Sequence, residues 1–572
     1  MVNGPGRLPE PAGEWAKGPS TPVPDKPSAS VQLDAAFEKG SAASASEPPI
    51  DPGVNGKGRE WLTSALRALG SMSFEQRVVW FVVVAVCVRL VCAALTPLAF
   101  DEALYWRYSK YLDAGYLDHP FVNPLMIRIG TMIFGDTSLG VRFVPILGGL
   151  VSTWAIWRAA DLLFKEKYVG AIAALFFNLT LIGSVGTMVS TSDQALVMCT
   201  SLLLLALAKL SESGDGTWWL AVGTAFGLGM CAKYTTSFYV VAIYLWLFLI
   251  PSNRHWFLSL WPWAGALVAT LIFFPVLDWN AHHEWASIVY QGKRMHVNVL
   301  TTKYLVELFG SQMGLMTPSI FLIAAVAMVA VRGKTPEQRS ALMLLRAAVL
   351  PGALYFMWHS LHQRVQGNWP EIIYPPAVIA AAFAVTQVSS LKRTSGQVVT
   401  WANRFAVPVG VGLAALVYAQ CVFGVLPIGK SDPTSRILDY GWNDLATGID
   451  QVAARERASA IIGTEYEMVT SQSFYGDGRL PVIQVTQRVR WANEPKPDRK
   501  ILNERLLYVC REPCAKVERL HQRFGTLEYI GSLPRSRQGV KLESYGLYRA
   551  ANPLRAVLDP EYAELHGGEQ LQ

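Results

Sequence analysis

Two adjacent carboxylates, Asp101 and Glu102, directly follow the first long apolar run of the chain, 78–100. A run of this length can span a bilayer, so the pair stands where a membrane helix would leave the hydrocarbon. Acidic groups at that depth are costly unless they are solvated, paired or used in chemistry. A carboxylate in a partly desolvated cavity can act as a general base that takes a proton from a hydroxyl. An acid pair that merely ends a helix is the alternative interpretation.

A polar turn follows the acid pair in the same loop. It contains Asp118 and His119 beside Pro120, whose ring makes the turn rigid. These side chains could position a substrate or contact a metal next to the acid pair, or they could form an ordinary surface turn. Tyr105 follows the acid pair closely, at a depth where aromatic residues commonly meet the membrane interface.

More candidate residues stand at the ends of later apolar runs. Asp193 opens one run, either as a helix cap or as another carboxylate that faces the same cavity. Lys233 lies between two runs, where it would bind a phosphate as a point charge or reach lipid headgroups by snorkelling. The remaining candidates are basic, amide and tryptophan residues of two later loops, namely Trp279, Asn280, Lys293, Arg294, His296, Asn368 and Trp369. The basic residues favour an anionic ligand or an anionic lipid, and Trp369 favours stacking on a sugar or an interfacial position.

The composition predicts a polytopic α-helical membrane protein. Hydrophobic residues make up 51% of the 572 residues and charged residues only 16%, whereas soluble proteins carry about 25% charged residues. The net charge of +7 is attributed first to lysine and arginine in cytoplasmic loops. No basic stripe lies outside those loops and the N-terminal tail, so a nucleic-acid partner is not expected.

Eleven apolar runs are long enough to be taken as membrane spans. They cover 78–100, 139–164, 168–187, 193–209, 217–232, 234–250, 257–277, 304–331, 342–361, 372–390 and 404–427. If the N-terminus is cytoplasmic, the inner turns carry the lysines and arginines that the positive-inside rule requires. All the candidate residues then lie on the outer side of the membrane. The number of spans between 168 and 250 stays open, because helix pairs there could dip into the bilayer without crossing it.

The remaining regions differ in composition from the spans. Residues 1–70 are rich in Pro, Gly, Ser and Ala and predict a disordered cytoplasmic tail before the membrane domain, 75–430. Within the outer loop, 125–134 is too short to span and predicts an amphipathic helix in the interface. Residues 431–553 predict a small extracytoplasmic α/β domain, and 554–572 predict a loose tail. The expected elements of that domain are a helix at 442–458 and strands at 480–485, 505–510 and 546–549.

The chain has seven cysteines. Five lie in apolar runs, where small buried side chains are the expected interpretation. Cys510 and Cys514 lie in a polar segment instead, and a local disulfide is favoured if that segment faces an oxidising compartment. A zinc site would need further ligands, and the neighbouring sequence offers none.

Six short motifs occur in order along the membrane domain. They are Asp101-Glu102-x-x-Tyr105-Trp106, Gly115-Tyr116-x-Asp118-His119-Pro120, Thr191-x-Asp193, Lys233-Tyr234-Thr235, Pro275-x-x-x-Trp279-Asn280 and Asn368-Trp369-Pro370. Together they resemble the bacterial branch of the protein O-mannosyltransferase-like glycosyltransferases, in the GT-C superfamily. This branch includes lipid A aminoarabinose transferases and rhizobial-type lipopolysaccharide galacturonosyltransferases. The family often has a second proline in the turn, where this chain has Phe121.

The resemblance implies a GT-C fold, a polyprenyl-phosphate sugar donor, and transfer on the periplasmic face of a bacterial inner membrane. The acceptor would be lipid A, lipopolysaccharide or another envelope glycan. No cofactor is assigned, and a divalent metal stays an open requirement. Two alternatives remain: a transporter or flippase of lipid-linked sugars, which predicts polar residues at mid-membrane and repeated halves, and a scaffold whose outer domain binds partners.

The resemblance also implies roles for individual residues. Asp101 would be the base or the acid that orients the acceptor. Glu102, which is grouped with it as catalytic, and Asp193 would be supporting polar groups. Lys233 would bind the donor phosphate, and the basic loop residues Lys293 and Arg294 are expected to assist it. The expected substrate-binding residues are Tyr105, Asp118, His119, Asp193, Trp279, Asn280, Asn368 and Trp369.

Overall fold

The computed structural model of the protein describes residues 70–293, 300–563 and 565. The features described below all belong to Met72–Gln572, which forms one compact unit. The predicted N-terminal tail up to residue 69 lies outside the described residues, as do Arg294 and His296.

Helices build the membrane domain. In chain order they are α1 (Phe74–Leu95), α2 (Phe100–Lys110), α3 (Val122–Phe134), α4 (Ser138–Phe164), α5 (Val169–Leu179), α6 (Leu181–Ser184), α7 (Ser192–Ser213), α8 (Trp218–Ala232), α9 (Phe238–Leu249), α10 (Trp261–His282), α11 (Ala286–Lys293), α12 (Lys303–Leu315), α13 (Pro318–Val329), α14 (Pro336–Ser360), α15 (Tyr374–Thr386) and α16 (Arg393–Phe423). The largest apolar core lies among α4, α5, α7, α13, α14 and α15.

Seven helical stretches of the described chain are long and apolar enough to cross a membrane, or up to ten if each bent pair counts as one span. The seven are α1, α4, α7, α10, α14, Trp369–Thr386 and α16. The bent pairs are Val169–Leu179 with Leu181–Met188 at 84°, Tyr234–Leu249 with Pro251–Leu258 at 115°, and Lys303–Leu315 with Pro318–Val329 at 109°. The multi-pass membrane class is therefore confirmed.

The expectation of about eleven spans exceeds the seven to ten that the described helices allow by length and composition. Three of the expected runs are the bent pairs, and prolines at 251 and 318 stand at two of the breaks, where they cannot continue the preceding helix. A fourth run forms α8, which has only 15 residues. At about 1.5 Å per residue, such a helix is shorter than a hydrocarbon layer of about 30 Å.

α1 and α3 define the end of the bundle that carries the acid pair. Ser73 and Gln76 cap the start of α1 reciprocally, each side chain bonding the other's backbone N–H. α1 ends at Leu95, just before Pro97, because a proline disfavours helix in the residue that precedes it. α3 confirms the helix expected at 125–134. Its Met126 side is buried and its other side is exposed and apolar, which suits contact with lipid.

The C-terminal domain is a mixed sheet with short helices. Its helices are α17 (Pro433–Ile437), α18 (Trp442–Arg455), α19 (Tyr466–Tyr475), α20 (Arg499–Leu502) and α21 (Val517–His521), and its strands are β1 (Ala460–Gly463), β2 (Val482–Gln484), β3 (Leu506–Arg511), β4 (Phe524–Arg537) and β5 (Val540–Pro553). The sheet order is β2-β1-β3-β5-β4. β1 pairs in parallel with β2 and β3, whereas β5 pairs antiparallel with β3 and β4.

The predicted α/β character of this region is confirmed, and two details differ. α19, β1 and the long strand β4 were not predicted: β1 has only four residues, polar residues interrupt the apolar pattern of α19, and Gly and Pro interrupt that of β4. The expectation of a loose tail after 553 is wrong for its first part. Val557 and Asp559 are buried, and Asp559 forms an ion pair with Arg523 at 2.5 Å and a backbone bond to Val485.

The cysteines fall into two groups. Cys510 and Cys514 are joined in a disulfide at the end of β3. Of the five free cysteines, four are buried, and Cys87 is exposed on α1 rather than buried as expected. An exposed thiol on a spanning helix faces lipid, so its position remains compatible with an apolar environment.

Candidate active site

α2 carries the acid pair and is enclosed along most of its length. Its residues from Glu102 to Trp106 are buried, and Asp101 is partly exposed. The helix start is fixed by Glu102 itself, whose Oε2 accepts the backbone N–H of Ala99 at 2.7 Å. A carboxylate at this position also interacts favourably with the positive end of the helix dipole.

Glu102 lies in a fully buried ion pair. Arg142 of α4 binds it through Nε and Nη2, the latter at 2.5 Å, and both side chains have no exposed surface. The Oε1 atom of Glu102 also accepts the backbone N–H of Ser190 at 2.8 Å. The remaining donors of Arg142 bond oxygens at the end of α1, including the Thr96 hydroxyl at 2.7 Å. The geometry therefore favours a positioning role for Glu102, which ties α1, α2, α4 and the start of α7 together.

Asp101 faces the opposite way, towards the C-terminal domain. Its Oδ1 accepts a hydrogen bond from the hydroxyl of Tyr466 at 3.3 Å. Burial, and then the negative charge of Asp118, raise the pKa of Asp101 to about 7, and the Tyr466 bond opposes this rise. The carboxyl group therefore changes its charge near neutral pH, as a general base should.

Asp118 lies close to Asp101 and is held by two donors. The hydroxyl of Tyr108 donates to its Oδ2 at 2.8 Å, and Arg490 of the C-terminal domain forms an ion pair with the same oxygen. Burial alone would raise the pKa of Asp118, but the charge of Arg490 and these two hydrogen bonds hold it below its usual value. Asp118 is thus an anchored anion beside Asp101.

A second cluster of charged side chains is centred on Asp193, in the first turn of α7. Lys233 forms an ion pair with its Oδ1, and the amide of Asn368 donates to its Oδ2 at 2.8 Å. Glu371 is buried and interacts electrostatically with both members of the pair. Three predicted residues from separate runs, Asp193, Lys233 and Asn368, therefore meet.

The cluster around Asp101 and Asp118 and the cluster around Asp193 lie at the same end of the helix bundle. The hydroxyl of Tyr105 on α2 contacts the Ser192 hydroxyl at 3.5 Å, next to Asp193 in the chain. The charge of Asp193 also acts on the Asp101 carboxyl group. The structure thus brings Asp101, Asp118, Asp193 and Lys233 into one region, as their shared side in the predicted topology implied.

Trp279 and Asn280 do not present free surfaces to a substrate. The Trp279 ring is buried and stacks on His283 with centroids 4.1 Å apart. The backbone of Gly115 also packs against this ring so closely that an added Cβ would lie 2.6 Å from it. Asn280 is fully buried and donates to the Val276 carbonyl in its own helix. The expectation that Trp279 binds the substrate is therefore not supported, since the protein itself covers the ring.

The other predicted residues lie at the margin of the site. His119 is partly exposed, and its charge acts on Asp118. Trp369 is partly exposed and meets the ring of His359 at 5.9 Å. Lys293 is exposed and contacts the Leu565 carbonyl at 3.4 Å, which does not connect it to the Lys233 group. Within the described part of the chain, no group of three or more His, Cys, Asp or Glu side chains is placed to hold a metal.

A separate cavity lies on the other side of α2. It has a volume of about 340 Å³ and is formed by α2 and the C-terminal domain. Its walls include Trp106, Lys110, Asp450, Arg488, Glu494 and Asp498, and Asp101 is not among its lining residues. The candidate active site is therefore assigned from the charged groups around Asp101 and not from this cavity.

Four residues of the site were not predicted from the sequence. Arg142 and Glu371 had a detectable signal, because each is a charged residue inside an otherwise apolar stretch. Tyr466 and Arg490 had none, since they lie in a polar region that carries no motif. Their contribution depends on how the C-terminal domain packs against α2.

Parts of the chain are similar to known proteins. Residues 118–279 match the family model described as dolichyl-phosphate-mannose-protein mannosyltransferase. The lipid A galacturonosyltransferase RgtD of Rhizobium johnstonii is 26% identical over 297 residues, which are 50% of this chain and 60% of that protein. The undecaprenyl phosphate-alpha-4-amino-4-deoxy-L-arabinose arabinosyl transferase 2 of Proteus mirabilis is 25% identical over 132 residues, or 22% and 24% of the two chains. The chain thus spans less than two thirds of the length of either relative.

One solved structure covers most of the fold. ArnT from Cupriavidus metallidurans, in a crystal structure bound to undecaprenyl phosphate, matches with a TM-score of 0.59 over 85% of this chain and 99% of its own. The sequences are 14% identical, so this likeness concerns the fold alone. Together with the family match, it confirms the resemblance that the six motifs predicted: the chain has the GT-C fold of the protein O-mannosyltransferase-like glycosyltransferases.

Proposed function

We propose that the protein is a membrane glycosyltransferase that moves a sugar from a polyprenyl-phosphate donor to lipid A, lipopolysaccharide or another envelope glycan. The observation that carries this proposal is the state of Asp101, a partly buried carboxyl group in the first turn of α2, just after the membrane helix α1, with its pKa raised to about 7. The donor and acceptor classes rest on the names of the similar proteins, which are a lipid A galacturonosyltransferase and an undecaprenyl-phosphate-dependent transferase.

The proposed reaction is an inverting displacement at the anomeric carbon of the donor sugar. The acceptor hydroxyl forms the new glycosidic bond while its proton passes to the Asp101 carboxylate. The bond from the anomeric carbon to the phosphate oxygen breaks, and polyprenyl phosphate leaves with the electron pair. Lys233 would stabilise the charge that gathers on this phosphate. Its ammonium group has three donors, so the ion pair with Asp193 leaves donors for the phosphate.

We also propose that the site and the C-terminal domain face the periplasm from a bacterial inner membrane, with the N-terminus in the cytoplasm. The disulfide between Cys510 and Cys514 supports an oxidising compartment for the C-terminal domain. The lysines and arginines of the opposite turns support the same orientation by the positive-inside rule.

The proposal is tested by Asp101→Asn in the full-length protein in lipid nanodiscs. The substrates are labelled undecaprenyl-phosphate sugars, with galacturonic acid and aminoarabinose tried first, and lipid A as acceptor. We expect transfer to fall by about 100-fold or more, which is within the usual contribution of a general base. Asp113→Asn is the matched control, because this carboxylate is exposed in the same loop. The wild-type rate should rise with pH through about 7, since the base works only when ionised. Full transfer by Asp101→Asn would overturn the assignment.

A transporter of lipid-linked sugars is the second candidate, and one observation favours it. Arg89 of α1 is fully buried inside a spanning helix, where it bonds Asn178 at 2.7 Å. Buried ionisable residues of membrane spans often mark a transport pathway. Flux of a labelled lipid-linked sugar across sealed vesicles, without covalent transfer to lipid A, would support this candidate over the enzyme.

A further inference from the structure

The C-terminal domain contacts Asp101, in the first turn of α2, and Asp118, in the loop that follows α2. Tyr466, the first residue of α19, donates its hydroxyl to Asp101 at 3.3 Å. Arg490, from the segment after β2, forms an ion pair with Asp118 and is almost fully buried. The guanidinium group of Arg490 also lies 4.5 Å from the ring of Tyr466. A single cation therefore fixes Asp118 and the tyrosine that binds Asp101.

Side-chain contacts hold α19 against α2. Arg107 of α2 forms a two-pronged ion pair with Glu494, whose closest distance is 2.6 Å, and donates to the Ser473 hydroxyl at 2.9 Å. The ring of Trp106 meets Phe474 edge to face at 4.9 Å. These contacts pack α19 and the segment of Glu494 against α2, and the first residue of α19, Tyr466, contacts Asp101.

The charges that act on Asp101 come from three elements. α19 supplies the Tyr466 hydroxyl and the Glu467 carboxylate, the loop after α2 supplies Asp118, and α7 supplies Asp193. Burial raises the pKa of Asp101 most, the three carboxylates raise it further, and the Tyr466 hydrogen bond lowers it. Two adjacent residues of α19 thus act on Asp101 in opposite directions.

We propose that α19 of the C-terminal domain completes the catalytic centre, with Tyr466 and Glu467 as positioning residues that tune Asp101. This inference rests on the proposed role of Asp101 as the base. It makes the polar domain, which carries no recognisable motif, a working part of the site. The ion pair between Arg490 and Asp118 keeps α19 in the position from which it acts.

The test compares the pH dependence of kcat/KM for two variants of the full-length protein in nanodiscs. Tyr466→Phe keeps the ring over Arg490 and removes only the hydroxyl. We expect the acidic limb of its pH profile to move up by about 0.5–1 pH unit, because the ionised Asp101 carboxylate loses a hydrogen-bond donor. Below neutral pH its kcat/KM should be about three- to tenfold lower than that of wild type, and above pH 9 the two should be equal. Glu467→Gln removes a negative charge beside Asp101. Its acidic limb should move down instead, so that this variant gains activity below neutral pH relative to wild type.

Opposite shifts from adjacent residues would not result from a merely structural role, which would lower activity at every pH. Tyr529→Phe is the matched control. The hydroxyl of Tyr529, on β4, also donates a 3.3 Å hydrogen bond to a carboxylate, that of Glu512. Its profile should equal that of wild type. If Asp101→Asn is inactive and neither α19 variant shifts the profile, the inference fails while the proposed function stands. If Asp101→Asn stays active, the proposed function itself fails.

Discussion

Asp101 and Glu102 are neighbours in the chain, and their surroundings are opposite. Glu102 is fully buried in an ion pair with Arg142, and both of its oxygens accept hydrogen bonds. Asp101 is partly exposed at the boundary with the C-terminal domain, where it accepts a bond from Tyr466 and its pKa lies near 7. Successive side chains of an α-helix point about 100° apart around its axis. One acid therefore points into the packed bundle and the other out of it. The difference shows how one acid can fix the scaffold while the other remains available for chemistry.

The largest effect is expected when the buried pair is broken. Glu102→Ala leaves the Arg142 charge buried without its carboxylate, which costs about 3–5 kcal/mol in comparable pairs. We expect a much lower unfolding midpoint of the purified protein in detergent, together with a poor yield. Asp101→Asn should unfold near the wild-type midpoint, because it removes a charge that burial already disfavours. If Glu102→Ala unfolds like wild type and is inactive, Glu102 belongs to the chemistry and the contrast with Asp101 is lost.

The next largest effect should distinguish Lys233 from Lys293, the two lysines predicted to bind the donor phosphate. The side chain of Lys233 is buried and forms an ion pair with Asp193, whereas Lys293 is exposed and contacts a backbone carbonyl. We expect Lys233→Gln to raise the KM for the polyprenyl-phosphate donor by up to about 100-fold, the scale of a lost charge-assisted hydrogen bond. Lys293→Gln should change it less than about twofold, as for other exposed substitutions. Equal effects would mean that the loop bearing Lys293 closes over the donor.

The sequence was a good guide to the bundle and to the residues at its helix ends. Asp193, Lys233 and Asn368 stand in separate runs, and the assumption that all lie on one side was enough to predict their meeting. Run length left open whether the helices between 168 and 250 cross the bilayer or turn back. It did not reveal the bend near Pro318, since hydropathy is the same in both cases.

The partner of each acid could not be read from the chain. Arg142 and Tyr466 are 40 and 365 positions away from the acids that they bind, and only the folded arrangement brings them there. The ring of Trp279 shows the same limit. Its place in a motif predicted that it binds the substrate, yet the ring packs against Gly115 and His283 as part of the scaffold.

The smallest predicted effect concerns this packing and tests whether the loop of Asp118 is fixed as firmly as Glu102. In Gly115→Ala the new Cβ would lie 2.6 Å from the Trp279 ring, which is closer than two carbon atoms can approach. Neither side can move freely, because His283 stacks on the ring and Asn493 donates to the Gly115 carbonyl at 3.1 Å. We expect a loss of about 1–2 kcal/mol of stability, as for other overpacked positions.

Gly310→Ala on α12 is the control for Gly115→Ala, since nothing lies within 4 Å of its added Cβ and alanine favours a helix. Differential scanning fluorimetry of both variants would measure the difference in unfolding temperature. An unchanged midpoint for Gly115→Ala would show that the loop adapts to the extra carbon. Asp118 would then be held mainly by Arg490, and the C-terminal domain rather than packing within the membrane domain would fix this side of the site.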